Sequence, residues 1–338
     1  MLRRTLPHEL FDDDFVVPDH YAMGWHTHFN LFGHEDKREF AELDGHQSVG
    51  HAFVHLIEDL EADWDKLGES EWSVDREGTE RERAILEDVL GDILPVRMAM
   101  NCLYSVPTQK IVHMMSMENM LFAMMDYPEL FHKLMGRIAD DTIAHFRWLE
   151  RERLLLPTTD CQGLGQGTYC YTEELPSSLP ADGSPLTTRD VWGFMDSQET
   201  VGISPEMFEE FIFPCYKRIS QEYGLLSYGC CEPVDPIWES CLSGLENLRK
   251  VSISPWCNQE YMGDRLRGKN VVFQRKPSPN YLGVDVNLDE EAIKKHIAET
   301  VKAAQGCTLE ITQRDVYTIH SNPAKARRYV ELWREGTR

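Results

Sequence analysis

The sequence lacks a run of roughly 18 apolar residues, the length that a helix needs to cross a bilayer. Residues 1–15 contain two arginines but no apolar segment of the signal-peptide kind. The expectation is a cytoplasmic protein. Positive charge is also short: 34 Lys and Arg stand against 57 Asp and Glu, a formal net charge of −23. Nucleic acid and anionic membranes repel such a surface at long range, so neither is expected as a partner. Nor is there an even set of cysteines. Nine in 338 residues suit thiols, metal ligands or packing better than a disulfide framework.

What is present is 42% apolar residues, enough to bury the core of one large α/β unit. Residues 1–91 are rich in charge and histidine, with helical spacing of apolar residues over 53–67 and 79–90. They are expected as a helical or irregular extension packed on a catalytic domain of residues 92–338. In that domain strand-like and helix-like stretches alternate. Residues 94–100, 154–156, 191–195, 225–228, 251–254, 271–273 and 308–311 are strand-like. Residues 109–127 and 128–153 are helical with a break at Pro128, and further helices are expected from Ser204-Pro205-Glu206, over 233–243 and over 288–304. Six or seven βα units in series favour a (β/α)₈ TIM barrel over a doubly wound sheet, with chemistry where the strands end.

Those ends carry Asn101 and Cys102; Asp160 and Cys161; Asp196, Gln198 and Glu199; Cys230, Cys231 and Glu232; Trp256, Cys257 and Asn258; Arg275 and Lys276; and finally Glu310, Arg314 and Asp315. Thiols and carboxylates gather on one face. A catalytic zinc needs three protein ligands, which different strands can supply. Glu199, Cys231 and Cys257 make one such set, with Cys230 and Glu310 as further metal candidates. Cysteine is also a common small buried residue. Adjacent side chains on a strand point opposite ways, so one of Cys230 and Cys231 is expected to face the mouth.

Three segments resemble the uroporphyrinogen decarboxylase superfamily, over roughly residues 92–335. Residues 196–208, an acidic strand end leading into Ile203-Ser204-Pro205-Glu206-Met207-Phe208, look like its characteristic helix start. Asp126-Tyr127-Pro128-Glu129-Leu130 is similar to its "D-x-P-E-L" closure, and residues 167–176 resemble its "G-Y-T-x-E-L-P" loop. The corrinoid-dependent methyltransferases of this superfamily end the fifth strand in His-x-Cys and hold zinc with a later cysteine. Here Tyr228-Gly229-Cys230-Cys231-Glu232 keeps the cysteine but not the histidine, and Glu310 or Asp315 stands where the later cysteine would. That departure weighs against a thiol acceptor and leaves open the demethylating members, whose ligand sets differ. The decarboxylase branch uses an arginine-rich N-terminal segment that residues 1–34 do not supply.

Other signals point less far. His26-Thr27-His28 resembles the metal-binding start of amidohydrolases, but the histidines those enzymes need after later strands are missing; the pair is a candidate for the substrate mouth, with solvent-exposed loop histidines the commoner alternative. Residues 44–50 resemble a cobalamin-binding loop whose glycine comes one residue late, so cobalamin is expected on a separate corrinoid protein. Residues 163–167 are not a dinucleotide fingerprint and read as a flexible mouth loop. The methionine-rich stretch 114–125 reads as adaptable core, or as a face for a partner.

The resemblance implies a zinc-dependent methyltransferase that moves a methyl group between a small methoxylated or methylated substrate and the corrinoid protein. Zinc polarises the leaving group. Asp196 and Asp315 orient the substrate or supply a proton; His26, His28, Asn101, Gln198, Trp256 and Lys276 contact it. The alternatives are a metal-independent decarboxylase-like enzyme and a non-catalytic small-molecule-binding barrel. A homodimer is compatible with the sequence.

Overall fold

A computed structural model describes residues 2–43 and 46–338. In chain order the strands are β1 (Tyr21–Met23), β2 (Thr27–Asn30), β3 (Arg38–Leu43), β4 (His46–Phe53), β5 (Glu71–Val74), β6 (Val96–Met98), β7 (Leu103–Ser105), β8 (Gly163–Gly165), β9 (Thr168–Tyr169), β10 (Trp192–Met195), β11 (Leu225–Tyr228), β12 (Leu248–Ile253), β13 (Val272–Arg275) and β14 (Thr308–Ile311). Six of them form one parallel sheet in the order β14-β13-β12-β11-β10-β7. The expected α/β class is present. Closure into eight strands is not seen among the described residues. β1 and β6 pair with each other in a separate parallel sheet, and residues 154–156, expected as a strand, contribute none.

The central strands are buried on both faces, as parallel sheets covered by crossover helices require. From β10 to β14 each strand lies beside its successor in the chain, with register pairs such as Met195↔Tyr228 and Ile253↔Arg275. All their C-terminal ends therefore open on one side. The long helix Pro128–Arg151 begins at the expected break and buries Phe131, Leu134, Ile138 and Phe146 against Ile212, Tyr216 and Ile219. Ser204 caps the next crossover by accepting from the Met207 N–H at 3.2 Å. That helix widens to a π-turn over Phe208–Ile212 just before Pro214, whose missing N–H breaks the regular bonding ladder.

A lysine inside the sheet explains how its interior is filled. Lys250 on β12 is 6% exposed, and Nζ donates to Thr168 Oγ1 (2.8 Å), Tyr169 O (2.8 Å) and Glu310 Oε2 (2.9 Å). All three donors are used, which a buried ammonium needs. These bonds tie the β8–β9 hairpin to β12 and β14. The hairpin turn, Gly165-Gln166-Gly167, reaches the strand-end side.

The N-terminal region departs most from expectation. Residues 53–67 form no α-helix: β4 ends at Phe53 and a short 3₁₀ turn covers Trp64–Lys66. Asp59 and Asp63 accept the N–H groups of Ala62 and Glu58, local bonds that compete with a helix. Meanwhile the N–H groups of Leu56 and Ile57 both reach Met114 O, so Ile57 and Leu60 are buried from a loop. β2 pairs with β5 and β3 with β4, giving strands where helix or irregular chain was expected. The cobalamin-like stretch 44–50 begins at Asp44 and Gly45, which lie outside the described residues; the remainder opens β4. No described helix is long and apolar enough to cross a membrane.

Candidate functional site

The ends of β10, β11, β13 and β14 bring together Asp196, Cys230, Cys231, Glu232, Lys276 and Asp315. β11 stops at Tyr228, and Gly229 follows with φ +101°, a left-handed conformation that suits glycine. A side chain there would also crowd Ser252, whose Cβ lies 3.0 Å from the position of an added Cβ. This turn ends strand alternation before the cysteines. The two sulfurs consequently stand 3.4 Å apart, instead of one facing the mouth and the other the core. The Cys230 thiol donates to Gln166 Oε1 at 2.9 Å, and Cys231 Sγ lies 3.8 Å from Asp315 Oδ2. The Cys230 carbonyl is held by Ser252 Oγ at 2.8 Å and Lys276 Nζ at 3.0 Å.

Glu232 ties two strand ends together. One carboxylate oxygen accepts from the Ser197 N–H and the other from the Cys230 N–H, each at 2.9 Å. Both contacts are charge-assisted bonds to backbone, the kind that fix geometry. Next to this brace Asp196 is 1% exposed, and neither of its carboxyl oxygens has a hydrogen-bond partner among the described residues. Burial, then the charges of Glu232 and Glu199, push its pKa up to about 8, against an opposing pull from Lys276. Asp196 is thus a neutral acid at pH 7. The contact between the two thiols lowers Cys231 to about 7 and, together with burial, raises Cys230. Burial also lowers Lys276 and raises Glu232.

The remaining sequence candidates are dispersed. Glu199 is buried and accepts from Thr108 Oγ1 at 2.8 Å, close enough to act on Asp196 by charge. Glu310 lies deeper along β14, engaged by Lys250 and by Thr312 at 3.2 Å. Cys257 is buried beside Asp235, which raises its thiol after burial has done so, to about 12. Gln198 opens the short 3₁₀ turn Gln198–Thr200 after Asp196, and Trp256 is 69% exposed beyond the end of β12. Asn101 lines a different cavity. His26 is on the surface, bonded to Glu82, and His28 is exposed on β2 facing Ser73 across the strand pair. Of the five proposed metal ligands, only Cys230 and Cys231 meet.

That arrangement can be weighed against zinc. The thiols are suitable donors, but a catalytic zinc site needs three protein ligands. Among the described residues no group of three His, Cys, Asp or Glu is placed to hold a metal ion. Glu199 and Glu310 are committed to other partners, and Glu232 spends both oxygens on backbone N–H groups. The residues present do not fit zinc as the sequence pattern arranged it.

Glu232, Gln166 and Tyr104 belong to the site although sequence reasoning gave them no role. Gln166 also hydrogen-bonds the Tyr104 hydroxyl, and Tyr104 stacks on Phe194 with centroids 5.0 Å apart. Two glycines flanking a polar residue were the available signal for Gln166; nothing local marked its reach to Cys230. A cavity of about 920 Å³ lies between the N-terminal segment, the start of β7 and helix Pro128–Arg151, lined by Trp25, Asn101, His145 and Tyr169. It is lined by Tyr104 but by none of the acids or thiols gathered at the strand ends. The reactive groups, not this void, therefore mark the candidate site.

Comparison with known proteins adds little identity. No protein-family model matches the chain, and no curated protein does. Among solved structures, a methyltransferase from Methanosarcina mazei is similar at 12% identity with a TM-score of 0.49, covering 98% of this chain and 83% of that one.

Proposed function

We propose that the chain is a methyltransferase whose strand-end cleft acts on a small methylated or methoxylated substrate, with Asp196 as the proton donor. The observation that carries this reading is the Asp196 carboxyl itself: buried, without a hydrogen-bond partner among the described residues, and with its pKa pushed up to about 8. Breaking an O–CH₃ or N–CH₃ bond leaves an anion or amine that departs poorly unless protonated. A neutral carboxylic acid at that atom supplies the proton, an effect worth ~10²–10⁴-fold. The reaction class comes from the segments that resemble the uroporphyrinogen decarboxylase superfamily, whose members include corrinoid-dependent methyltransferases. Lys276 lies beside the acid with its Nζ donating to the Cys230 carbonyl, and Glu232 holds the Asp196 and Cys230 strand ends in register.

The corrinoid belongs to a separate protein in this proposal; when docked it supplies the centre that gives or takes the methyl group. Its docking side is the strand-end rim. Val201, Trp256, Val284 and Tyr317, each following a different strand of the parallel sheet, are 60–97% exposed there. Exposed apolar residues that follow several strand ends suit a protein partner.

The test is turnover of methoxylated arenes and methylated amines with a reduced corrinoid protein, followed by chromatography of the demethylated product. Wild-type activity should fall as pH rises through about 8, because Asp196 then loses its proton. Asp196→Asn should lose ~10²–10⁴-fold in kcat. Unchanged turnover in that variant, with the same alkaline limb, would overturn the role of Asp196. No demethylation of any donor would overturn the reaction class.

A further inference from the structure

The vicinal cysteines have a geometry that the methyl-transfer reading does not use. Two sulfurs 3.4 Å apart sit where no third His, Cys, Asp or Glu completes a metal site among the described residues. A ligand that needs two thiols fits this donor count, whereas zinc, needing three or four, does not. We propose that Cys230 and Cys231 form a chelating site for a trivalent organoarsenical, a centre that carries one carbon substituent and takes two thiolates.

The geometry separates this ligand from other thiophilic ones. A linear two-coordinate cation holds its sulfurs on opposite sides, farther apart than these are. The Cys230 backbone is pinned against such spreading by Ser252 and Lys276 at its carbonyl and by Glu232 at its N–H. A pyramidal arsenic instead binds both sulfurs on one side. Cys231 is only partly buried and its neighbour Asp315 has a 46% exposed side chain, so the pair is reached from the cleft mouth. The low pKa of Cys231 favours attack from that thiol first.

With phenylarsine oxide the step balances without redox change. Two As–S bonds form and the As–O bond is lost, the oxygen leaving as water with both thiol protons; arsenic stays trivalent. Cys230 gives up its bond to Gln166, and the Asp315 carboxylate stands beside Cys231 to relay a proton. This site does not depend on methyl transfer, and its test needs no turnover.

The reduced full-length protein is incubated with phenylarsine oxide in excess 2-mercaptoethanol. It is then analysed by intact mass, and by alkylation and peptide mapping. The expected result is one phenylarsenic per chain, protection of Cys230 and Cys231 from alkylation, and release by 2,3-dimercaptopropanol. Cys230→Ser and Cys231→Ser should each weaken capture by ~10²–10⁴-fold, the loss expected when a chelate becomes monodentate. Cys257→Ser should retain it. No capture by the wild-type protein in monothiol, or protection confined to other cysteines, would overturn the proposal. Because mapping is done on wild-type protein, a variant that fails to fold does not remove the test.

Discussion

At the scale of single residues, charge state follows from what each side chain is denied. His145 stacks on Phe29 with centroids 4.3 Å apart, and neither ring nitrogen has a partner among the described residues. Burial lowers its pKa to about 4. A histidine whose folded pKa is depressed binds fewer protons folded than unfolded, so stability is lost as pH falls from about 6.5 toward 4. His145→Phe keeps the stacking and removes the titration. At pH 5 it should stabilise the protein by about 1–2 kcal/mol relative to its effect at pH 7.5, read from urea unfolding at both values. A variant with the same pH dependence as the parent would show that His145 is solvated.

Residue identity also marks the limit of motif reading. His26-Thr27-His28 has metal-like spacing, yet its backbone opens β2, with His26 bonded to Glu82 and both histidines exposed. The place of Asp196 at a strand end was legible because an apolar run of strand length stops just before it and a helix-start motif follows. Glu232 has the same chemistry and nearly the same position. Its role as a brace was not legible, because it depends on the Ser197 and Cys230 N–H groups converging across two strands.

At the scale of elements, periodicity was sound where an apolar face had a sheet to pack against. β11 and β14 run over Leu225–Tyr228 and Thr308–Ile311 as read from the chain, and the helix Glu290–Ala303 falls within its expected span. The reading failed where local polar groups offered the backbone other bonds, as Asp59 and Asp63 do within 53–67. It failed again at residues 154–156, apolar and buried but unpaired in any sheet, because burial alone does not make a strand.

The turn after β11 is the element on which the thiol pair depends. Gly229→Ala forces an L side chain into a left-handed φ and toward Ser252. The expected cost is about 1–3 kcal/mol in urea unfolding. The displaced turn should also part the sulfurs, so that Cys231 loses the bond that lowers its pKa and reacts more slowly with iodoacetamide at pH 7. Unaltered stability and reactivity would mean that the turn tolerates a side chain and does not set the pair.

At the scale of the whole molecule, the parallel sheet assigns the two ends of every strand to different tasks. Crossovers cover the faces, while Trp256 and Tyr317 extend from the strand-end rim. Buried interface aromatics commonly carry more than 2 kcal/mol of binding. Replacing Trp256 and Tyr317 by alanine should therefore raise KM for the corrinoid protein roughly ten- to thirty-fold, with the thermal midpoint unchanged. Steady-state kinetics with the corrinoid protein as the varied substrate measures this. An unchanged KM would move the docking surface elsewhere.

The sequence by itself determined the α/β class, the order of the strands from Trp192 onward, and the gathering of acids and thiols at their C-terminal ends. Each follows from local signals: apolar runs of strand length, helix caps, and the rule that parallel strands in series end on one side. Only the tertiary structure decided that the sheet has six described strands, that the Gln166 turn reaches the thiols, and that Cys230 and Cys231 face each other while Glu199, Cys257 and Glu310 go elsewhere. The physical reason is that a ligand set depends on angstrom-scale distances between strands. Those distances are fixed by a left-handed turn and by hydrogen bonds between residues 35 to 64 positions apart.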